Sequence, residues 1–192
     1  MSANHAAFNL IFRFVENYVS PIAGRISSQR HVMAIRDGFI SAMPFMIVGS
    51  FLLVFAYPPF SPDTTWGFAR AWLDMAKQFE GQILTPFDMT MGVMSLYICA
   101  AIAYNLGKHY VKTHQLDPFM CAMLSLMAFL LVAAPKTKGA LPVDSLGGTG
   151  IFTAILVAIY CVEMMRFLKA HNIGIRLPDQ VPPMIKNSFD LL

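Results

Sequence analysis

The stretch Gly38-Phe39-Ile40-Ser41-Ala42-Met43-Pro44-Phe45-Met46-Ile47-Val48-Gly49-Ser50-Phe51-Leu52-Leu53-Val54-Phe55-Ala56-Tyr57-Pro58-Pro59-Phe60 carries no charged residue. It is long enough for a helix to cross about 30 Å of hydrocarbon, which takes roughly 20 residues at 1.5 Å each. Three stretches of the same character follow, Met89 to Gly107, Pro118 to Pro135 and Leu146 to Val162, with the charges collected between them. The pattern predicts an all-α integral membrane bundle of four transmembrane helices, at about residues 38-60, 87-107, 118-135 and 146-168, flanked by amphipathic interfacial helices.

Composition agrees, since 56% of residues are hydrophobic and 13% charged, far from the balance of a soluble domain. With 192 residues and four spans there is little room to enclose a solute route, which favours a transport component over a complete transporter. The net charge of +3 arises from short loops without a dense Lys/Arg run, so nucleic-acid binding has no support. Cys99, Cys121 and Cys161 fall inside predicted spans and read as small apolar packing residues, with no CxxC or Cys/His metal spacing. His5, His31, His109, His114 and His171 all lie on flanks, and none reads as an intramembrane proton carrier.

The N-terminus, the turn around Lys108 to Asp117 and everything after Glu163 should share one side of the membrane. Together they hold all the Lys and Arg except Arg70, Lys77, Lys136 and Lys138. Basic loops are retained in the cytoplasm, so both termini are expected there, with the loops from Asp63 to Asp88 and Lys136 to Ser145 outside. Residues 1-37 form a cytoplasmic amphipathic helix and linker, 38-168 the four-span domain, and 169-192 a cytoplasmic connector. No cleavable signal peptide is expected. In the first segment Asn9, Arg13, Glu16, Asn17 and Ser20 occupy one arc of a helical wheel and Leu10, Ile11, Phe12, Phe14, Val15, Tyr18 and Val19 the rest. That suits a helix lying in the interface or docked on the cytoplasmic span ends.

Pro44 predicts a kink in the first span, because it cannot donate to the Ile40 carbonyl. Thr85-Pro86 and Asp117-Pro118 each place a side-chain acceptor before a proline that suits a first helical turn, so they should start the second and third spans. Gly150, Ala154 and Ala158, like Ala103 and Gly107, form small stripes where helix backbones can approach closely. The partner helix could lie in this chain or in a second copy. Glu163 is the acid nearest a span interior. It reads either as a substrate or proton site or, with Arg166 three residues on, as an ion pair at the cytoplasmic boundary, the reading we favour. Trp66, Phe68, Trp72, Met75 and Phe79 recur at helical spacing among Asp63, Arg70, Asp74, Lys77 and Glu80, predicting an outer amphipathic helix. Its tryptophans fit the headgroup zone, and a platform for stacking sugar rings is the sharper alternative.

Recognisable catalytic chemistry is missing. There is no Walker A pattern, GxSxG, HExxH or closely spaced acidic pair within the spans. Gly147, Gly148 and Gly150 open the fourth span without a following Lys and read as a turn into a helix. No catalytic, substrate-binding or metal-ligating residue is assigned, and no cofactor.

The tail Arg176-Leu177-Pro178-Asp179-Gln180-Val181-Pro182-Pro183-Met184-Ile185-Lys186-Asn187-Ser188-Phe189 reads as a proline-bounded connection into an amphipathic helix that lines up Ile185, Phe189 and Leu192. It ends without a capping signal, as though leading toward a further span. Here a resemblance becomes informative. Leu177 to Pro183 with Ser188-Phe189 resembles the connector of the lactose/cellobiose family of phosphotransferase-system IIC permeases. So does His31-Val32-Met33-Ala34-Ile35-Arg36-Asp37-Gly38-Phe39, with Met43-Pro44 and Gly49-Ser50 after it. Met91-Gly92-Val93-Met94-Ser95-Leu96 is similar to the family's second span. The three pieces stand in family order and point to cellobiose- or chitobiose-type members.

That resemblance implies a bacterial inner-membrane protein and an N-terminal half, truncated relative to the family. The family's N-terminal spans form the dimerising scaffold, and its later half carries the residues that bind sugar, so none is transferred here. It also implies IIA and IIB partners, a homodimer, and import of a β-linked disaccharide with coupled phosphorylation, but only together with the missing half. The alternative is a small self-sufficient membrane anchor or interaction protein that transports nothing.

Overall fold

A computed structural model describes residues 13, 15–134, 143–171 and 173, which form helices and turns and no strand. A π-helical turn, Val15–Val19, leads into α1 (Ser20–Ser27) and then α2 (Arg30–Ala56), α3 (Gly67–Asp88), α4 (Met94–His114), α5 (Pro118–Ala133) and α6 (Ile151–Ala170). The N-terminal helical wheel lies largely outside the described residues. So do Lys136, Lys138 and the connector from Arg176 onward.

Two of these helices, Arg30–Ala56 and Gly148–Ala170 with its leading 3-10 turn, are long and apolar enough to cross a membrane. The helix Pro118–Ala133 is apolar but has 16 residues, about 24 Å at 1.5 Å each. α4 is less apolar for a physical reason. It is the central helix, packed against α2, α5 and α6, so its environment is protein more than solvent or lipid. Its buried residues Ser95, Ile98, Cys99, Ile102, Ala103, Leu106, Gly107 and Tyr110 follow helical periodicity.

Small residues make this packing close. Ala34, Gly38, Ala42, Gly49 and Ala56 are the buried positions of α2, and a Cβ on Gly38 would lie 2.9 Å from the Ile102 backbone nitrogen. Ala103, Ala154 and Ala158 are fully buried, and Gly107 faces the Pro118 Cα and Cys121. The small stripes are therefore consumed inside this chain, and the open question of their partner is answered in favour of its own helices. Many large apolar side chains point the other way. Leu131 is 76% exposed and Phe152 71%, with Ile40, Phe51, Met127 and Leu156 also exposed. Small residues at the close helix contacts, with large apolar ones also facing outward, is the arrangement expected where lipid is the solvent.

Several boundaries differ from expectation. The first long helix starts at Arg30 and ends at Ala56 rather than Phe60, because Tyr57-Pro58-Pro59 pushes the preceding backbone out of the helical region. It is continuous through Pro44, whose position is exposed. Thr85-Pro86 does not open the next span. Pro86 lies in the last turn of α3, where it leaves the Gln82 carbonyl without its helical donor, and Thr90 Oγ1 closes the turn by donating to the carbonyls of Pro86 and Phe87 at 2.9 and 3.0 Å. α4 then begins at Met94. Asp117-Pro118 does behave as read: Asp117 caps α5 by accepting from the Phe119 N–H at 2.8 Å. The expected amphipathic helix is α3, which carries Phe68, Arg70, Trp72, Asp74, Met75, Lys77, Phe79 and Glu80, with Trp66 just before its first residue. The glycine cluster forms a 3-10 turn, Gly148–Gly150, leading into α6.

Candidate functional site

The termini of three helices meet at one end of the bundle, the start of α2 and the ends of α4 and α6. Glu163, on α6, lies at their junction. His31 Nε2 is 2.9 Å from Glu163 Oε1. A carboxylate can only accept, so Nε2 carries the hydrogen of this bond. The Tyr110 hydroxyl donates to the same oxygen, and the Arg166 guanidinium pairs with Oε2 at 2.7 Å. Arg30 and Arg166 also lie 5.3 and 5.2 Å from the centre of the Tyr110 ring, within cation–π range.

The expected Glu163–Arg166 pair is thus present, but it is half of a larger arrangement. Tyr110 is fully buried, while the Glu163 side chain is 23% exposed. Both carboxylate oxygens are occupied by partners from this chain. That chemistry suits a clamp joining α2, α4 and α6 better than a site awaiting sugar, proton or metal. Among the described residues no group of three or more His, Cys, Asp or Glu could hold a metal ion. The three cysteines are free and buried, in keeping with packing roles.

Sequence reasoning missed His31 and Tyr110 as partners of Glu163. The available signal was topological: spans that alternate in direction bring the start of the first helix and the end of the last to one level.

The same end is basic. From residue 15 onward, the described segments there carry Arg25, Arg30, Arg36, Lys108, Lys112, Arg166 and Lys169 against Glu16, Asp37, Asp117 and Glu163. Segments at the opposite end carry Arg70 and Lys77 against Asp63, Asp74, Glu80, Asp88 and Asp144. At that acidic end the joins are more varied, beginning with the Tyr57 hydroxyl, which donates to Glu80 at 3.1 Å. The Ser95 N–H donates to the Leu146 carbonyl at 3.0 Å, and Ser95 Oγ donates to the same oxygen. Phe45 and Tyr97 stack at 4.6 Å.

With this geometry in hand, residues 36–192 match the family model described as Phosphotransferase system, EIIC. The chain belongs to the phosphotransferase-system EIIC family. It is 35% identical to the cellobiose-specific EIIC component of Geobacillus stearothermophilus over 92% of this chain and 40% of that protein. It is 34% identical to the lichenan permease IIC component of Bacillus subtilis (strain 168), over 94% of this chain and 41% of that one. Its fold matches the crystal structure of ChbC, the IIC component of the N,N'-diacetylchitobiose-specific phosphotransferase system, with a TM-score of 0.75 and 33% identity, covering 93% of this chain and 43% of that chain. Among these relatives are a cellobiose-specific component and an N,N'-diacetylchitobiose-specific one, the types to which the motifs pointed. This chain spans about two fifths of their length.

Proposed function

We propose that this chain is the N-terminal scaffold of a phosphotransferase permease that imports a β-linked disaccharide such as cellobiose or chitobiose, delivered as its phosphorylated form. The observation that carries the reading is the closed Glu163 cluster within a bundle folded like ChbC. Its one near-interior carboxylate is committed to holding helices together, as a fixed frame requires. No sugar-binding residue is assigned here, and the chain is proposed not to transport alone.

In this reading α2, α4, α5 and α6 are the four crossings, with both termini on the cytoplasmic side of a bacterial inner membrane. The excess of basic residues at the Glu163 end supports that orientation. IIB and IIA subunits would supply the phosphoryl group. Dimerisation, if this part mediates it, uses outward faces, because the Ala154–Ala158 stripe is already buried.

The test is to express the chain alone and together with the remaining length of a cellobiose-type relative, following phosphorylated disaccharide in cells. Accumulation with the pair and none with the chain alone is expected. Uptake by the chain alone would refute the scaffold assignment; failure of the pair, with both pieces in the membrane, would favour a self-sufficient anchor. Reporter fusions near Lys112 are expected to report cytoplasm, and an external location would reverse the topology.

A further inference from the structure

We propose that the aromatic cluster where α2 meets α3 is a lipid-headgroup anchor, seating this end of the bundle in the boundary between water and hydrocarbon. The inference rests on the membrane reading above and adds a specific partner surface to it. Phe60 meets Trp66 and Trp72 edge-on at 5.9 and 5.7 Å. Trp72 also lies 5.8 Å from Phe55 and 5.9 Å from Phe68. The cluster is fastened to the end of the apolar helix itself, because Trp72 Nε1–H donates to the Phe55 carbonyl at 3.3 Å. That carbonyl belongs to the last turn of α2, which has no donor within the helix.

The cluster continues the outward apolar face of α2, where Phe51, Val54 and Phe55 are exposed. Trp66 and Phe68 are exposed beyond it. On α3 the exposed Asp74, Lys77 and Glu80 supply both signs of charge, which complements a zwitterionic headgroup. An indole has an apolar body and a polar N–H, and it partitions to this level of a bilayer. A sugar platform would need an open ring face with converging polar groups. Here the edge-on contacts of Phe60 set one ring's face against another's edge.

Both tryptophans of the chain lie in this cluster, so its tryptophan emission, excited beyond the tyrosine absorption, reports on nothing else. The full chain is reconstituted in phosphatidylcholine vesicles whose acyl chains carry bromine either near the headgroup or near the chain end. Iodide is then added to the water, and in parallel cellobiose. Trp66→Phe and Trp72→Phe separate the two emitters while keeping an aromatic ring in place. The expected result is a larger loss of emission to shallow bromine than to deep bromine, little loss to iodide, and no change with cellobiose. Quenching by iodide but not by bromine, stronger quenching by deep bromine, or a saturable response to cellobiose would overturn the anchor. Flotation of the same vesicles keeps the two readings apart. A chain that fails to float with lipid refutes the membrane reading and the anchor together, whereas one that floats with iodide-quenched tryptophans refutes the anchor alone.

Discussion

At the basic end of the bundle one carboxylate joins three helices through side chains alone; at the acidic end the joins are spread over backbone carbonyls, stacked rings and an exposed hydrogen bond from Tyr57 to Glu80. Glu163 receives His31, Tyr110 and Arg166 at once. Leu146, its counterpart, offers a carbonyl that Ser95 reaches twice, from its amide and from its hydroxyl. The first arrangement concentrates the cost of failure in one residue, and the second spreads it. Substitutions at the two ends should therefore differ in size.

The largest effect is expected from Glu163→Leu. Removing the acid leaves Arg166 beside a buried phenol and strands the Tyr110 hydroxyl without its acceptor. Breaking a buried pair from one side costs about 3 to 5 kcal/mol, and the partial exposure of Glu163 and Arg166 places this case below that range, at roughly 2 to 3 kcal/mol. Reversible unfolding in detergent micelles measures it. A loss below about 1 kcal/mol, as for a surface ion pair, would erase the contrast between the ends.

Next comes Gly150→Ala at the acidic end. An added Cβ would overlap the Ser145 carbonyl oxygen and lie 3.0 Å from Ser95 Oγ. Backbone cannot yield there without opening the 3-10 turns that lead into α6. Overpacking of this kind costs about 1 to 3 kcal/mol, readable in the same unfolding measurement. A neutral result would show that the turn is loosely held.

How far the sequence carried these conclusions differs by region. The apolar runs after Gly38 and after Leu146 marked the two strongest spans because charge and length are local properties. Asp117 as a cap was legible for the same reason, since a cap acts within its own turn. The start of α4 was not legible. Proline before an apolar run suits a helix start and a helix end alike, and only the packing of α3 on α2 decides between them. The stripe Ala34, Gly38 and Ala42 stood at the right spacing but was hidden by the apolar residues around it. In the Glu163 cluster the i to i+3 pair with Arg166 was visible on one helix. His31 and Tyr110 come from distant parts of the chain, and no sequence interval encodes their meeting.

A smaller loss is expected from Ser95→Ala. It removes the hydroxyl's bond to the Leu146 carbonyl but leaves the amide bond at 3.0 Å in place. With the acceptor still satisfied, the change should cost about 1 kcal/mol, the net worth of a typical hydrogen bond. A cost approaching that of Glu163→Leu would mean that the acidic end has no redundancy and that the two ends are alike after all.

The smallest change should carry the opposite sign. Gly81 lies inside α3, exposed, and a Cβ there would meet nothing within 4 Å. Glycine within a helix is disfavoured relative to alanine by roughly 0.5 to 1 kcal/mol, because the unfolded chain has more freedom to lose. Gly81→Ala should therefore stabilise α3 by about that amount if the helix is ordered by its own backbone and its contact with α2. The same measurement sharpens the comparison, since α3 belongs to the end whose joins are distributed. A stabilised helix there should raise resistance to unfolding without altering the penalty of Glu163→Leu, the two sites sharing no partner. Non-additivity in the double variant would show instead that the two ends unfold as one coupled unit, with the strain of losing the carboxylate transmitted along α2.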